Sequence, residues 1–145
     1  TPRTLFPYTT LFRSRGITGK KAEEIFKNKF EQGLISNFTG KLIDKRENGC
    51  GYDFEMKDDP RYMFEVKGSI KDCAGIMFTD KEWHMAKQLG EKYILVIVSN
   101  VDSEAPNIEI YINPANLFAP SKIIQKKIAV NWTVDNKQLT DNKKM

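Results

Sequence analysis

The spacing of apolar residues changes period several times along this chain, and each change marks a predicted element. Residues 18–34, TGKKAEEIFKNKFEQGL, repeat apolar side chains at helical spacing, which predicts a helix opened by Thr18 and stopped at Gly33. With Ala22 set at zero and about 100° per residue, Phe26 falls at about 40°, Phe30 at about 80° and Leu34 at about 120°, so the four share one side. The following stretch, FTGKLIDKRENGCGYDFEMKDDPRYMFEVKGS, carries short β-type runs punctuated by Gly49, Gly51 and DDP, as a meander of three strands would. FTDKEWHMAKQLGEK predicts a second helix. Thr79 and Glu82 form an S/T-x-x-E capping box, Phe78 and Trp83 have the spacing of a hydrophobic staple, and Gly90 is placed to end the helix.

YILVIVSN is continuously apolar, the mark of a strand covered on both sheet faces. NIEIYINP alternates instead, as a strand nearer an edge does. After PANLF the tail through Met145 is polar, with one weak strand or helix expected around residues 123–134. The order is α-β-β-β-α-β-β, which predicts an α/β domain with a mixed central sheet flanked by helices.

The longest apolar run, residues 93–98, falls far short of the roughly 18–20 residues that cross a bilayer, so no membrane partner is expected. Residues 4–14 lack the basic start and long apolar centre of a signal peptide, and the cytoplasm is the simplest compartment. Cys50 and Cys73 are too few for a disulfide framework, and no Cys/His cluster suggests zinc.

Charge looks informative until the N-terminus is considered. Residues 4–14, TLFPYTTLFRS, match the in-frame translation of a common sequencing adapter, so residues 1–15 are expected to be an adapter-derived artefact rather than native chain. On that reading residues 16–120 form the domain, residues 121–145 a polar C-terminal extension, and the native protein continues upstream. The first fifteen residues hold Arg3, Arg13 and Arg15 and no acid, so the formal charge falls from +4 for the whole chain (23 basic, 19 acidic) to +1 for the rest (20 against 19). The basic pI of about 9.0 is therefore no footprint of nucleic acid. Any such partner has to be argued from a site.

One candidate site lies in the predicted hairpin. In GYDFEM, Tyr52, Phe54 and Met56 point one way while Asp53 and Glu55 point the other. In RYMFEVKGS, Tyr62, Phe64 and Val66 oppose Met63, Glu65 and Lys67. If KDDP turns the chain back, one face is aromatic and aliphatic, and the other collects Asp53, Glu65 and Lys67. A solvated polar face, ordinary in antiparallel sheets, is the competing reading. Met63 on the polar face and the doubly covered YILVIV strand both argue for partial burial. The chemistry is also apt. Two carboxylates offer hard oxygens to Mg²⁺, which takes its remaining ligands from water and phosphate. Mutual repulsion between the carboxylates favours entry of a cation.

At these residues the sequence resembles a family. GYDF followed by FEVKG is similar to the PD-(D/E)xK nuclease-like superfamily, with Asp53 as the acid of the first half-motif and Glu65-Val66-Lys67 as the E-x-K. The ordered set GKKAEEIF, GYDF, EVKGS, FTDKEWHMAKQLGEKYILVIV and INP is closer still to the nuclease-like domain at the C-terminus of the plant protein NO VEIN and its bacterial relatives, over residues 19–118. GYD stands where the superfamily often has Pro-Asp, so only the acidic member carries over.

That resemblance implies a restriction-endonuclease-like α-β-β-β-α-β core. It also implies a Mg²⁺-dependent endonuclease, with Mn²⁺ as a substitute, hydrolysing DNA within a larger defence or DNA-processing protein. Asp53, Glu65 and the backbone carbonyl of Val66 would hold the metal, and Lys67 would position water or stabilise the transition state. Many members add a first-helix Glu. Glu23, at about 100° on the helical wheel, lies inside the inward stripe, whereas Glu24, at about 200°, lies outside it, so Glu23 is the candidate. An ATPase or helicase domain upstream in the same chain and a homodimer are the corresponding partners. The alternative within the same fold is a catalytically inactive nucleic-acid-binding or scaffolding module.

Other residues have plainer expectations. Lys81, Lys87 and Gln88, on the polar side of the second helix, are candidates for phosphate contacts or simply a solvated face. Glu82 is a further candidate to reach the site, although its capping box already accounts for it, and His84 reads as solvated or touching phosphate. Lys20 and Lys21 lie near Glu23 and could also meet phosphate, while Trp83 and Trp132 read as core or staple residues.

Overall fold

The structure, a computed structural model, describes the backbone of residues 6–143 and the side chains of residues 16–143. Helix α1 spans Phe6–Glu31 and leads into strand β1 (Leu42–Asp44), β2 (Phe54–Met56) and β3 (Met63–Gly68). Helix α2 (Asp80–Leu89) then crosses to β4 (Tyr93–Ser99), which is followed by β5 (Asn107–Ile112) and two short helices, α3 (Pro114–Leu117) and α4 (Asn136–Asp141). The five strands form one sheet in the order β1-β2-β3-β4-β5. All neighbours are antiparallel except β3 and β4, whose parallel pairing needs the crossover that α2 supplies. The result is an α/β domain with a mixed sheet flanked by helices, compatible with a restriction-endonuclease-like core.

The alternation in the sequence sorts the two faces. Phe54, Met56, Phe64, Val66, Ile94, Val96 and Val98 are buried together with Ala22, Phe26 and Phe30 of α1. Phe26 is the hinge of this core, with ring centroids 5.2 Å from Phe64, 5.8 Å from Phe54 and 5.9 Å from Phe30. Each such side chain contributes about 1.5–3 kcal/mol by leaving water. Helix and sheet meet most closely at Gly68, where a Cβ would lie 2.6 Å from the Ala22 Cβ and 2.9 Å from the Thr18 carbonyl oxygen. Only glycine permits that approach. All seven residues of β4 are buried, and β5 alternates in exposure as an edge strand does.

Several expectations are corrected. Helix α1 begins at Phe6 rather than Thr18, so Thr18 is an interior, buried residue. Pro7 falls in the first turn, where a missing N–H costs no hydrogen bond, and nothing breaks the helix between it and Thr18. The first five residues of the segment expected to be adapter-derived lie outside the described residues, and from Phe6 its backbone is helical. At the other end, Gly33 adopts φ 72° and donates to Phe30 O, while Leu34 donates to Lys29 O, a Schellman cap that turns the chain away. Leu34 is therefore 59% exposed and not part of the inward stripe. Residues 123–134 form no helix or strand; the helix in the tail is α4, capped by Asp135. Trp132 is 93% exposed and belongs to no core.

Candidate active site

Asp53 is placed by a break in the β2–β3 ladder. Phe54 pairs with Phe64, yet Asp53 also donates its N–H to the Phe64 carbonyl at 2.8 Å. Two residues thus oppose one, which is a β-bulge, a feature common beside active sites. Beyond the bulge the Asp53 carboxylate takes over as acceptor, with Oδ2 receiving the Val66 N–H at 2.8 Å. The bulge also changes which way Tyr52 faces. Expected beside Phe54, Tyr52 instead donates its hydroxyl to Glu55 Oε2 at 2.8 Å, and Lys45 lies 3.6 Å from the other Glu55 oxygen. The preceding turn is fixed by the Tyr93 hydroxyl, which donates to Gly51 O at 2.9 Å. Gly51 itself, at φ 91°, tucks against α2 where a Cβ would come within 3.1 Å of Met85 Cβ.

Glu65 and Lys67 stand on β3 on the face toward α2. Glu65 is 4% exposed, and its Oε1 lies 2.8 Å from Lys67 Nζ. Lys67 Nζ also donates to Glu82 Oε2 at 2.6 Å. Glu82 makes the predicted capping box as well, accepting the Thr79 N–H at 2.9 Å while its own N–H donates to Thr79 Oγ1 at 3.2 Å. The cap accounts for only half of this residue. The capping box is the favoured sequence reading of Glu82, and the structure adds the reach toward the site that the box alone does not require.

Electrostatics follow from burial. Desolvation pushes the Glu65 carboxyl up to about 9, with Lys67 acting against the rise and the Asp53 and Glu82 charges adding to it. Asp53 is pushed up to about 6, again chiefly by burial, which the Val66 N–H bond only partly offsets. Burial opposes the Lys67 charge, but the Glu65 and Glu82 carboxylates outweigh it, and its pKa rises above the ordinary lysine value. One ammonium therefore serves three neighbouring acids. The donor set suits a hard divalent ion: two part-buried or buried carboxyl groups whose ionisation burial disfavours until a cation joins them, beside a backbone strand that can add a carbonyl oxygen. Among the described residues, no three His, Cys, Asp or Glu side chains gather at metal-ligand spacing, so water or phosphate oxygens would fill the remaining positions.

Glu23 approaches from the opposite side of the sheet. Its side chain is 21% exposed against 51% for Glu24, in line with the helical wheel. Its charge reaches Asp53 and helps to raise the Asp53 pKa. Its hydrogen bond, however, goes to Arg46 Nη1 at 3.2 Å. Arg46 also binds Glu24 at 2.7 Å and chelates the Asp44 carboxylate, and its guanidinium lies 5.0 Å over the Phe54 ring. Arg46 has no counterpart among the expected site residues. DKREN shows its local partner Asp44 but not Glu23 and Glu24, which lie on a helix more than twenty residues away.

The α2 residues are less concentrated. Lys81, Lys87 and Gln88 are all exposed. At about 100° per residue Lys81 and Gln88 lie within about 20° of each other, while Lys87 is about 120° away, so the three form no single patch. His84 is exposed and holds its Nδ1 within 2.7 Å of Asp80 O. Lys21 is paired with Asp102 at 2.6 Å.

The family model of the C-terminal domain of Protein NO VEIN matches residues 22–112. This chain belongs to that family. The NO VEIN C-terminal match begins at Ala22, the first core residue of α1, and ends at Ile112, the last residue of β5. It therefore takes in the metal and catalytic candidates Glu23, Asp53, Glu65, Val66 and Lys67 and the α2 candidates Lys81, Lys87 and Gln88, and leaves out Lys20, Lys21, the N-terminal segment and the tail. No curated protein and no solved structure matches the chain.

Proposed function

We propose that this domain is a Mg²⁺-dependent endonuclease that hydrolyses DNA phosphodiester bonds, with Mn²⁺ as a substitute ion. It would act in the cytoplasm within a larger defence or DNA-processing protein, alongside an upstream ATPase or helicase domain. The single observation that carries this reading is that the Lys67 ammonium pairs with Glu65 and Glu82 and its charge acts on Asp53, in a site where burial raises both Asp53 and Glu65. The resemblance of GYDF and FEVKG to PD-(D/E)xK nucleases supports the same assignment.

Asp53 and Glu65 would hold the ion with the Val66 carbonyl, and Glu23 would support them from α1. When bound, the ion would lower the pKa of a coordinated water and offset charge on the phosphate oxygens. Lys67 retains its proton, because the carboxylates beside it hold its pKa up. It is therefore a donor and a positive charge for the attacking water or a phosphate oxygen, not a proton acceptor. Glu82 and the α2 cap keep that ammonium pointed across the sheet.

A second reading, a catalytically silent nucleic-acid-binding or scaffolding module, draws on a different observation. Among the described residues every buried polar side-chain atom has a hydrogen-bond partner, as in a purely structural network. Incubation of the protein with plasmid and single-stranded DNA in Mg²⁺ or Mn²⁺ separates the two. The nuclease reading requires cleavage that disappears in Lys67→Ala; binding without cleavage under every condition supports the silent module and removes the nuclease.

A further inference from the structure

A cavity of about 450 Å³ opens beside the carboxylate cluster, on the same face of the sheet. Its floor is Leu95 and Ile97 of β4. The strand register aligns Glu65 with Leu95 and Tyr111, and Lys67 with Ile97 and Glu109. Cluster and cavity are thus consecutive positions on three adjacent strands, two strand spacings or about 10 Å from β3 to β5.

The walls are aromatic. Phe78 and Trp83, centroids 5.2 Å apart, form one pair in the lining, and Tyr111 and Phe118, 5.4 Å apart, form another. Lys67 Nζ lies 5.5 Å from the centre of the Phe78 ring, so the proposed catalytic ammonium and the cavity wall are in direct contact. Glu109 supplies the polar group. Its Oε2 accepts from the Tyr111 hydroxyl and its Oε1 from Asn107 Nδ2 at 3.2 Å, which orients the carboxylate and leaves each oxygen further acceptor capacity.

We propose that this cavity receives an unpaired base of a DNA strand whose phosphate lies at the Lys67 cluster, and that Glu109 accepts a hydrogen bond from the exocyclic amino group of adenine or cytosine. The inference rests on the nuclease reading for its phosphate and adds the substrate class, single-stranded or locally opened DNA. An aromatic lining stacks any base, and a carboxylate acceptor favours the exocyclic amino group of adenine or cytosine over thymine, whose one donor, N3–H, is flanked by two carbonyl oxygens that the carboxylate repels. The volume lies within the range of small-ligand sites, about 300–1,000 Å³. A double helix keeps its bases stacked and cannot fill such a cavity without extruding one.

The test is equilibrium binding in EDTA, so that no cleavage is needed, read by fluorescence anisotropy of labelled oligo(dA), oligo(dC), oligo(dT) and a blunt duplex. Single strands are expected to bind at least tenfold tighter than the duplex, with oligo(dA) and oligo(dC) ahead of oligo(dT). Phe118→Ala, at an exposed position, is expected to weaken single-strand binding about tenfold, the size of one lost stacking contact. Glu109→Gln, a conservative change on an edge strand, is expected to erase the preference against thymine. Equal binding of duplex and single strands, or unchanged binding in both variants with circular dichroism intact, overturns the proposal. Cavity-dependent binding with no cleavage in Mg²⁺ would sink the nuclease and leave the cavity assignment standing; Mg²⁺-dependent cleavage with variant-independent binding would do the reverse.

Discussion

The ammonium of Lys67 on β3 lies 2.6 Å from Oε2 of Glu82, the same carboxylate oxygen that accepts the N–H of Thr79 at the start of α2. The end of a helix and the proposed catalytic cluster are therefore one hydrogen-bonded unit.

That linkage can be separated by two substitutions. Thr79→Ala removes only the Oγ1 half of the cap and keeps the Thr79 N–H that holds Glu82 Oε2, so it is expected to cost about 1 kcal/mol of stability while lowering cleavage much less than a change at Glu82. Glu82→Gln keeps an acceptor suited to the capping box but removes the charge beside Lys67. It is expected to cost less stability than Thr79→Ala yet lower cleavage by about tenfold or more, as when a group that orients a ligand is lost. Urea unfolding and a plasmid cleavage time course on both variants check the ordering.

The raised carboxyls predict an unusual pH response. Glu65 rises from 4.5 to about 9 and Asp53 from 3.8 to about 6, so the folded protein holds protons that the unfolded chain has released. Stability from these groups is then present below the unfolded values and is lost as pH rises through the folded ones. In EDTA, Glu65→Gln is expected to gain stability relative to the parent between about pH 5 and about pH 9, because glutamine has no proton to lose. Mg²⁺ is expected to stabilise the parent more at the higher pH. Denaturant midpoints at both ends of that range, with and without Mg²⁺, measure both effects.

Gly68 predicts a packing limit. Gly68→Ala would set a methyl 2.6 Å from Ala22 Cβ and 2.9 Å from Thr18 O, so a loss of about 1–3 kcal/mol is expected. Ala22→Gly in the same chain relieves the first clash but not the second, and is expected to restore only part of the loss, since glycine inside a helix itself costs about 1 kcal/mol. Urea midpoints at constant slope read this out.

These residues also show what a sequence can carry. Alternation at Phe54, Met56, Phe64 and Val66 is local, so the core face of the hairpin was legible, as was the Thr79–Glu82 box four residues long. Tyr52 was misread because a bulge shifts the alternation, and a bulge depends on which backbone groups bond across strands. Arg46 was invisible because Glu23 and Glu24 reach it only once α1 lies on the sheet. Trp132 reads as a core or staple residue yet is 93% exposed, because residue type alone does not say whether a surface exists for it to pack on. Glu82 shows the opposite case: a sufficient local explanation, the capping box, outweighs in the sequence a second contact that is made only through the fold.

The most direct test of the account is calorimetric titration of Mn²⁺ into the metal-free protein, its Asp53→Asn variant and its Glu65→Gln variant. The account predicts one saturable site in the parent and an affinity loss of tenfold or more in each variant, with the folded state retained. Saturable binding unaffected by either substitution, or no binding by the parent, contradicts it.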